Sequence, residues 1–539
     1  MNKFMNRTTI GSVMRGMCYG FAALLFAASC ANDNVVQDEK QYKDNIPAGA
    51  TLFTGTSQPD STTTRTAILN HTKGAGASVN WSSTDKIWVK DDGGNWQQST
   101  TTIIPSAANP SFAKFALSGT YTGASHDILY TNMAVTGTQP QVEIKAEQTQ
   151  SAPNNFDHAG VSGDCGIATG NKSGSDYAFT LDHKASYLCF IPRTSNEYVK
   201  RSKLIKIEIM SDDEIAGTYN MAADGTLTLA SGGSKTITVT TGSGFDIDNS
   251  ADDMSKNATY AVVAPGTHTF RIRYWLRNTT DNPGGAIEGT VSKIVTLNCT
   301  AGSIHDVTAN LNPHDYDGNH YYTWDAKEQY WKGYEWTKHL PVGVGQPPVN
   351  NWFPGGAPSS NYPKSNADAR WYHEGSGYIQ ASNSCAGLPN VNEMTWYAAY
   401  GDSRWDADEL WTTMGHLYKG GRWFKKKSVL LTEGNYNSNT AYDGTDWRLG
   451  PNDEQWENQA SQPLPSIADA SNYFYLPALG QYTSSGMLYY IDWNVIYWSS
   501  SGHSWDGVPS AYALYFDRYT VRVMKSASRG GGLLIGTFE

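Results

Sequence analysis

Cysteine is scarce in this chain: six are spread over 539 residues, at positions 18, 30, 165, 189, 299 and 385. They are too few and too scattered to form a disulfide framework, so stability must come from buried cores. Positive charge is also short. Lys and Arg total 40 against 51 Asp and Glu, a formal charge of −11, which argues against nucleic acid or an anionic membrane surface as a main partner. Beyond the first thirty residues no apolar run approaches the roughly 20 residues that a spanning helix needs. Catalytic signatures are missing as well: there is no HExxH, G-x-S-x-G, P-loop, Rossmann glycine pattern or Cys-x-x-Cys. Asp402, Asp406 and Glu409 read as exposed acids in the first turn of a helix, where they complement its dipole. His503, Ser504 and Asp506 share one short loop, and a triad needs its base between its partners in space, which neighbours in one tight loop rarely achieve. No enzyme activity, cofactor or metal is therefore expected.

At the start of the chain, Lys3, Arg7 and Arg15 precede an apolar stretch from Gly16 to Ala28 that ends in small residues, the layout of an export signal. Ala27-Ala28-Ser29-Cys30 resembles a lipobox, which implies a lipidated (palmitate-bearing) Cys30 as the first mature residue. Phe26 and Ala27 stand where many lipoboxes have Leu. An ordinary secretory signal cut near Ser29 would also export the chain. Residues 1–29 are accordingly a signal peptide and 30–49 a tether, and about 510 mature residues predict more than one domain.

The remaining chain divides by composition. Residues 1–312 hold four tryptophans, Trp81, Trp88, Trp96 and Trp275, and residues 313–539 hold the other fourteen of the 18. The first part is rich in Thr, Ser, Gly and Val. Its short alternating runs, such as 236–240 and 270–275, predict an antiparallel β-sandwich. The second part mixes short strands with two predicted helices. One is read over 403–418, from Ser403 through Ala407, Leu410, Trp411, Met414, Leu417 and Tyr418 at 3/4 spacing, stopped by Gly420 and Gly421. The other runs over 392–400 with Val391, Met394 and Ala398 inward. Strands are expected at 497–500, 511–516 and 520–524.

Several pieces of residues 50–312 resemble the fimbrillin family, two-domain β-sandwich pilins of bacterial surface fibres. They are Thr64-Arg65-Thr66; Trp81 followed by Asp85, Ile87 and Val89; Phe179, Leu181 and His183 with Ser186 and Leu188; and Ala301-Gly302 leading to Val307 and Leu311. His183 reads as a packing histidine, since no second His or Cys lies at ligand spacing. The resemblance implies a lipid-anchored precursor cut between Arg65 and Thr66, after a first strand at 50–56. The groove so opened would take a strand from a neighbouring subunit. Read from the residues alone, Arg65 is equally an ordinary arginine in a polar surface loop.

Residues 314–539 resemble the Fibrobacter major paralogous domain, a relative of C-type lectin-like folds. The resemblance rests on the opening His314-Asp315-Tyr316-Asp317-Gly318-Asn319-His320-Tyr321, on Leu388-Pro389 before Glu393 and Trp396, and on Tyr497-Trp498-Ser499-Ser500-Ser501, 511–516, Val521 and Arg529-Gly530. The end, 533–539, departs from that pattern. Asp315, Asp317 and Asn319 lack the Gly and Glu placement of a calcium loop and predict a turn with Gly318 at positive φ. Formylglycine-generating oxidases share the lectin-like fold but use a cysteine pair, whereas Cys385 is alone. The surplus of rings predicts a binding surface at Tyr489, Tyr490, Trp493, His503, Trp505, Asp506, Arg518 and Tyr519.

The fold expected is mainly β: two β-sandwich pilin domains at 50–174 and 175–312, then an α+β C-type lectin-like domain at 314–539. The function expected is a minor or tip subunit of a cell-surface fimbrium, in cell adhesion at the outer membrane. Its partners would be other fimbrial subunits, a glycan or another host or bacterial surface ligand, and the outer membrane through the lipid, at least transiently. The alternative is a surface lipoprotein that binds glycans for nutrient uptake and never polymerises.

Overall fold

The computed structural model describes residues 46–56, 67–69, 71–107, 109–330, 332, 362–363, 365, 367–371, 379–457, 462–483, 488–503, 510–536 and 538–539. Cys30, Arg65, Thr66, Trp505 and Asp506 lie outside them, as does the export signal. The fold is mainly β, and the described residues form three large sheets and three small ones. None of the described helices is long and apolar enough to cross a membrane.

The first sheet has the strand Thr51–Thr56 in its middle. On one side it runs parallel to Asp176–Thr180, and on the other antiparallel to Phe112–Leu117. Alternation along it turns Phe53 and Gly55 inward. Phe53 is fully buried, stacked on Tyr177 at 4.7 Å and edge-on to Tyr121 at 5.1 Å. Trp81, Ile87 and Val89 share that core, with Asp85 accepting from the Ser82 amide to form the preceding turn. The expected break at 174/175 falls at the tip of the hairpin Gly166–Ser173/Asp176–Thr180, both of whose strands lie in this sheet. Gln141–Ile144 and Glu147–Thr149, earlier in the chain, pair instead with strands of the second sandwich.

That second sandwich stacks a sheet containing Thr236–Asp246, Lys203–Ser211, Gly266–Asn278 and Ile287–Cys299 over a smaller one of Thr259–Val263, Ser186–Arg193 and Ile304–Asn310. His183 is buried, its Nδ1 2.8 Å from Asp164 Oδ1, as a packing histidine should be.

The predicted helix over 403–418 is instead a hairpin, Arg404–Thr413 with His416–Lys425. Met414 (φ 49°) and Gly415 (φ 81°) form its turn, the two left-handed residues that a tight hairpin connection requires. The apolar 3/4 spacing misled because the register slips between Asp406 and Leu410 and Leu410, Trp411, Thr412 and Thr413 are all buried. A bulged strand covered on both faces has no period of two. Gly420 and Gly421, read as a helix stop, lie within the second strand. A side chain at Gly421 would strike the Leu476 carbonyl.

The second helix is present as Val391–Tyr400, with a capping box: Asn390 accepts from the Glu393 amide and Glu393 from the Asn390 amide. It packs on a sheet ordered Tyr321–Tyr322, Leu533–Leu534, Val495–Gly502, Ser510–Phe516, Thr520–Ser528 and Glu454–Glu457. Gly318 takes φ 74° in the expected turn.

The 404–425 hairpin joins the two regions. Its Glu409 pairs with Thr290 of Ile287–Cys299, so one sheet runs from the second sandwich through the hairpin to Tyr473–Pro477. Leu410 and Leu417 belong to the core of the second sandwich.

Candidate functional site

Five of the eight residues nominated for binding come together at one end of the C-terminal sheet. Leu488–Ile491 pairs with Leu479–Tyr482, and the chain then turns sharply into Val495–Gly502. The turn holds Tyr490 and Asp492 at φ 64° and 65°, and the Trp493 and Asn494 amides both donate to the Tyr490 carbonyl at 3.1 Å. A left-handed backbone at a bulky residue costs about 1–3 kcal/mol and persists only where surrounding structure holds it. Here Asp492 N donates to Ala478 O and Gly480 N to Asn494 O. The result is a rim of rings facing solvent: Trp493 is 63 % exposed, Tyr490 49 % and Tyr489 38 %. Ring centres lie 5.7 Å apart for Tyr489 and Tyr490, and 6.4 Å at 88° for Tyr490 and Trp493.

Because Val495 registers with Phe516, the 517–519 turn arrives at the same end. Asp517 shapes it, accepting from the Tyr519 and Thr520 amides at 2.7 and 2.8 Å and from the Tyr515 hydroxyl at 2.7 Å. Burial pushes the Asp517 carboxyl up, but these donors outweigh it and the net shift is downward. From beneath, buried Arg422 donates to the carbonyls of Asp517 and Arg518 at 2.9 and 3.0 Å. Burial lowers its guanidinium to about 10. Tyr519, 56 % exposed, has the Arg518 guanidinium 5.8 Å from its ring centre. Exposed aromatic faces beside a cation, on turns held from below, suit a flat ligand with apolar faces and polar edges, as a sugar ring has.

His503 departs from this group. It directly follows the eight-residue strand Val495–Gly502, whose other end adjoins the rim, roughly 25 Å away at about 3.3 Å per residue. It is 2 % exposed, with Nδ1 3.1 Å from Ser510 Oγ and its ring edge-on to Tyr512. Its sequence distance of ten from Trp493 hid the fact that an intervening strand carries it to the opposite end.

The sequence reading missed a polar seam under the hairpin. Arg273 donates to Asp406 at 3.1 Å, Glu409 accepts from Ser292 Oγ at 2.7 Å and Thr290 Oγ1 at 3.2 Å, and Arg271 donates to Pro465 O at 2.7 Å. A cavity of about 390 Å³ opens beside them, lined in part by Trp423 and Ile294. Burial, with Asp406 nearby, pushes the Glu409 carboxyl up to about 7. Nothing in the linear order pairs 290–292 with 406–409, so no local signal marked this seam. Among the described residues one group of metal-ligand types, His71, Cys189 and Asp306, lies apart on the second sandwich.

No family model matches the chain, and no curated protein matches it. Solved structures do show a likeness over about half of it. A candidate cell adhesion protein from Bacteroides ovatus is 12 % identical, with 48 % of this chain and 92 % of that one covered and a TM-score of 0.30. A fimbrial protein from the same species is 14 % identical over 51 % and 52 %, at 0.23. The fimbrial anchor protein Mfa2 from Porphyromonas gingivalis is 9 % identical over 48 % and 90 %, at 0.21. Scores this low leave the chain's own geometry as the ground for its function.

Proposed function

We propose that this chain is a minor or tip subunit of a cell-surface fimbrium, assembled by strand exchange and carrying at 314–539 an adhesin-like domain that binds glycan at its aromatic rim. The observation that carries this reading is the position of Thr51–Thr56. It is paired along its whole length with Phe112–Leu117 and over Phe53–Thr56 with Asp176–Thr180, and is followed at once by the segment 57–66 that contains Arg65. Cutting after Arg65 and withdrawing that strand would leave two facing rows of unpaired amides and carbonyls with an apolar slot between them, a strong template for an incoming strand. The C-terminal domain proposed is 314–539, and the first sandwich continues past 174 through Asp176–Thr180, with delivery to the outer membrane by lipid on Cys30.

A terminal position in the fibre is supported by the other end of the sandwich. Ile304–Asn310, its last strand, leads directly into His314–Asp315, which pairs with Arg404–Thr413. Held at both ends, that strand is not available for donation. The experiment is the N-terminal sequence of protein extracted from the cell surface: Thr66 supports the reading, and an acylated Cys30 with 50–65 still attached sinks it. The second outcome favours a lipid-anchored glycan-binding protein for nutrient uptake, which would use the same rim without polymerising.

A further inference from the structure

The segment that follows residue 66 is pinned to the second sandwich at a cluster made from three distant stretches of chain. Ala67–Leu69 and Ser78–Asn80 form a small hairpin. Between them His71, 4 % exposed, brings Nε2 within 2.8 Å of Asp306 Oδ1, and the Gly74 amide donates to Asp306 Oδ2 at 2.7 Å. Asp306 lies on Ile304–Asn310 and registers directly with Cys189 of Ser186–Arg193, so the two side chains share a face. One nitrogen of His71, the Cys189 sulfur and one oxygen of Asp306 all lie within 4.8 Å of one another. The Tyr260 ring closes one side, edge-on at 6.0 Å from the imidazole, and the Asp306 side chain keeps 15 % of its surface toward solvent.

We propose that His71, Cys189 and Asp306 form a zinc site that fastens the 67–80 hairpin to the second sandwich. Imidazole, thiolate and carboxylate are the three ligand types that zinc accepts, at about 2.0–2.3 Å each in a tetrahedral arrangement. Such bond lengths separate ligand atoms by roughly 3.2–3.6 Å, so a pair at the 4.8 Å limit closes by about 1.2–1.6 Å on binding, while the His71 to Asp306 contact opens slightly. The sulfur ligand selects against calcium and magnesium, which take oxygen. Three protein ligands leave a fourth position for water on the side where Asp306 meets solvent.

The protons balance simply. Cys189 releases its thiol proton to solvent, and the imidazole carries its single proton on Nδ1 so that Nε2 offers a lone pair; no electron changes hands. Among the described residues, the buried His71 Nδ1 has no hydrogen-bond partner. The site therefore lacks the outer acceptor that usually steadies a metal-bound histidine, whose loss weakens metal affinity by about 10–100-fold. Affinity is accordingly expected to be modest for a zinc site. Without metal, the same residues make an ordinary hydrogen-bonded cluster around the Asp306 carboxylate.

Chelator-treated full-length chain titrated with cobalt(II) and with zinc separates the two. The expected result is uptake of one equivalent, a thiolate-to-cobalt charge-transfer band that zinc abolishes by displacement, and a higher melting temperature with zinc. Cys189→Ser should lose the band, and Asp306→Asn and His71→Gln should each weaken uptake by about tenfold or more. If Cys189→Ser fails to fold, as judged by circular dichroism, the other two variants decide alone. Absence of the band in the parent chain, or a band that survives these substitutions because another cysteine carries it, overturns the proposal.

Discussion

Trp493 and Phe53 show the two opposite uses this chain makes of large rings. Trp493 projects from a strained turn with most of its surface in water, so its removal has little packing to disturb. Trp493→Ala is expected to shift stability by no more than about 0.5 kcal/mol while weakening glycan binding by roughly tenfold or more, as central aromatic anchors do. Glycan arrays and calorimetry on the full chain check this, and retained binding would remove the rim from consideration. Phe53 is the reverse case, fully buried and stacked. Phe53→Ala should cost about 3–5 kcal/mol, read as a drop in the denaturant midpoint of the first sandwich. The rim rings were visible in the sequence as a crowd of aromatics around 489–493. What sequence could not convey is which rings face out: Tyr497 and Trp498, a few residues on, are buried. His71, Cys189 and Asp306 were invisible for a plainer reason, since the imidazole and carboxylate that meet are 235 residues apart.

Among the elements, the 404–425 hairpin matters most, because it carries the seam. Glu409 holds its proton up to about pH 7, against an ordinary 4.5, because burial and Asp406 disfavour its charge. The folded chain therefore binds a proton that the unfolded chain releases between those values. The stability this contributes is fully present below about pH 4.5 and is lost as pH rises through 7. Denaturant unfolding at pH 5 and pH 7.5 should show the parent losing stability relative to Glu409→Gln as pH rises. Parallel behaviour of the two proteins would refute the assignment. The element itself was misread as a helix, and the cause is local. Strands with one wet face announce themselves by alternation, as Thr236–Asp246 does in its burial. Arg404–Thr413 has a register slip and then a run buried on both faces, which leaves only spacing that a helix also satisfies. Val391–Tyr400 was readable because its apolar stripe, its Glu393 and its length agree.

On the scale of the whole molecule, the C-terminal region is mounted on the second sandwich rather than hung from it. Leu410 and Leu417 sit in the sandwich core, Lys419 donates to Glu288 O at 2.8 Å, and Arg273 is buried against Asp406. Removing that guanidinium strands a buried carboxylate, a loss of about 3–5 kcal/mol. Arg273→Met should thus split thermal unfolding into two transitions, with the C-terminal one moving down, and calorimetry of the full chain will show it. A single transition at the parent temperature would mean that the seam contributes little. The division of the chain by tryptophan content was evident in its composition. The continuity of one sheet across that division was not, because it depends on a single register pair, Thr290 with Glu409.

The first strand has one more consequence, for whatever segment takes its place. With a parallel neighbour on one side and an antiparallel one on the other, the slot it fills has a direction. A replacement entering backwards would reverse its relation to both neighbours at once. Its composition is constrained as well: a side chain at Gly55 would come within 2.8 Å of the Phe179 ring, while two residues earlier the slot is shaped around the Phe53 ring. A strand that fits must therefore present a large apolar residue and, two positions later, glycine. That pair of positions is a lock whose key can be sought by reading the chain ends of other proteins made by the same cell.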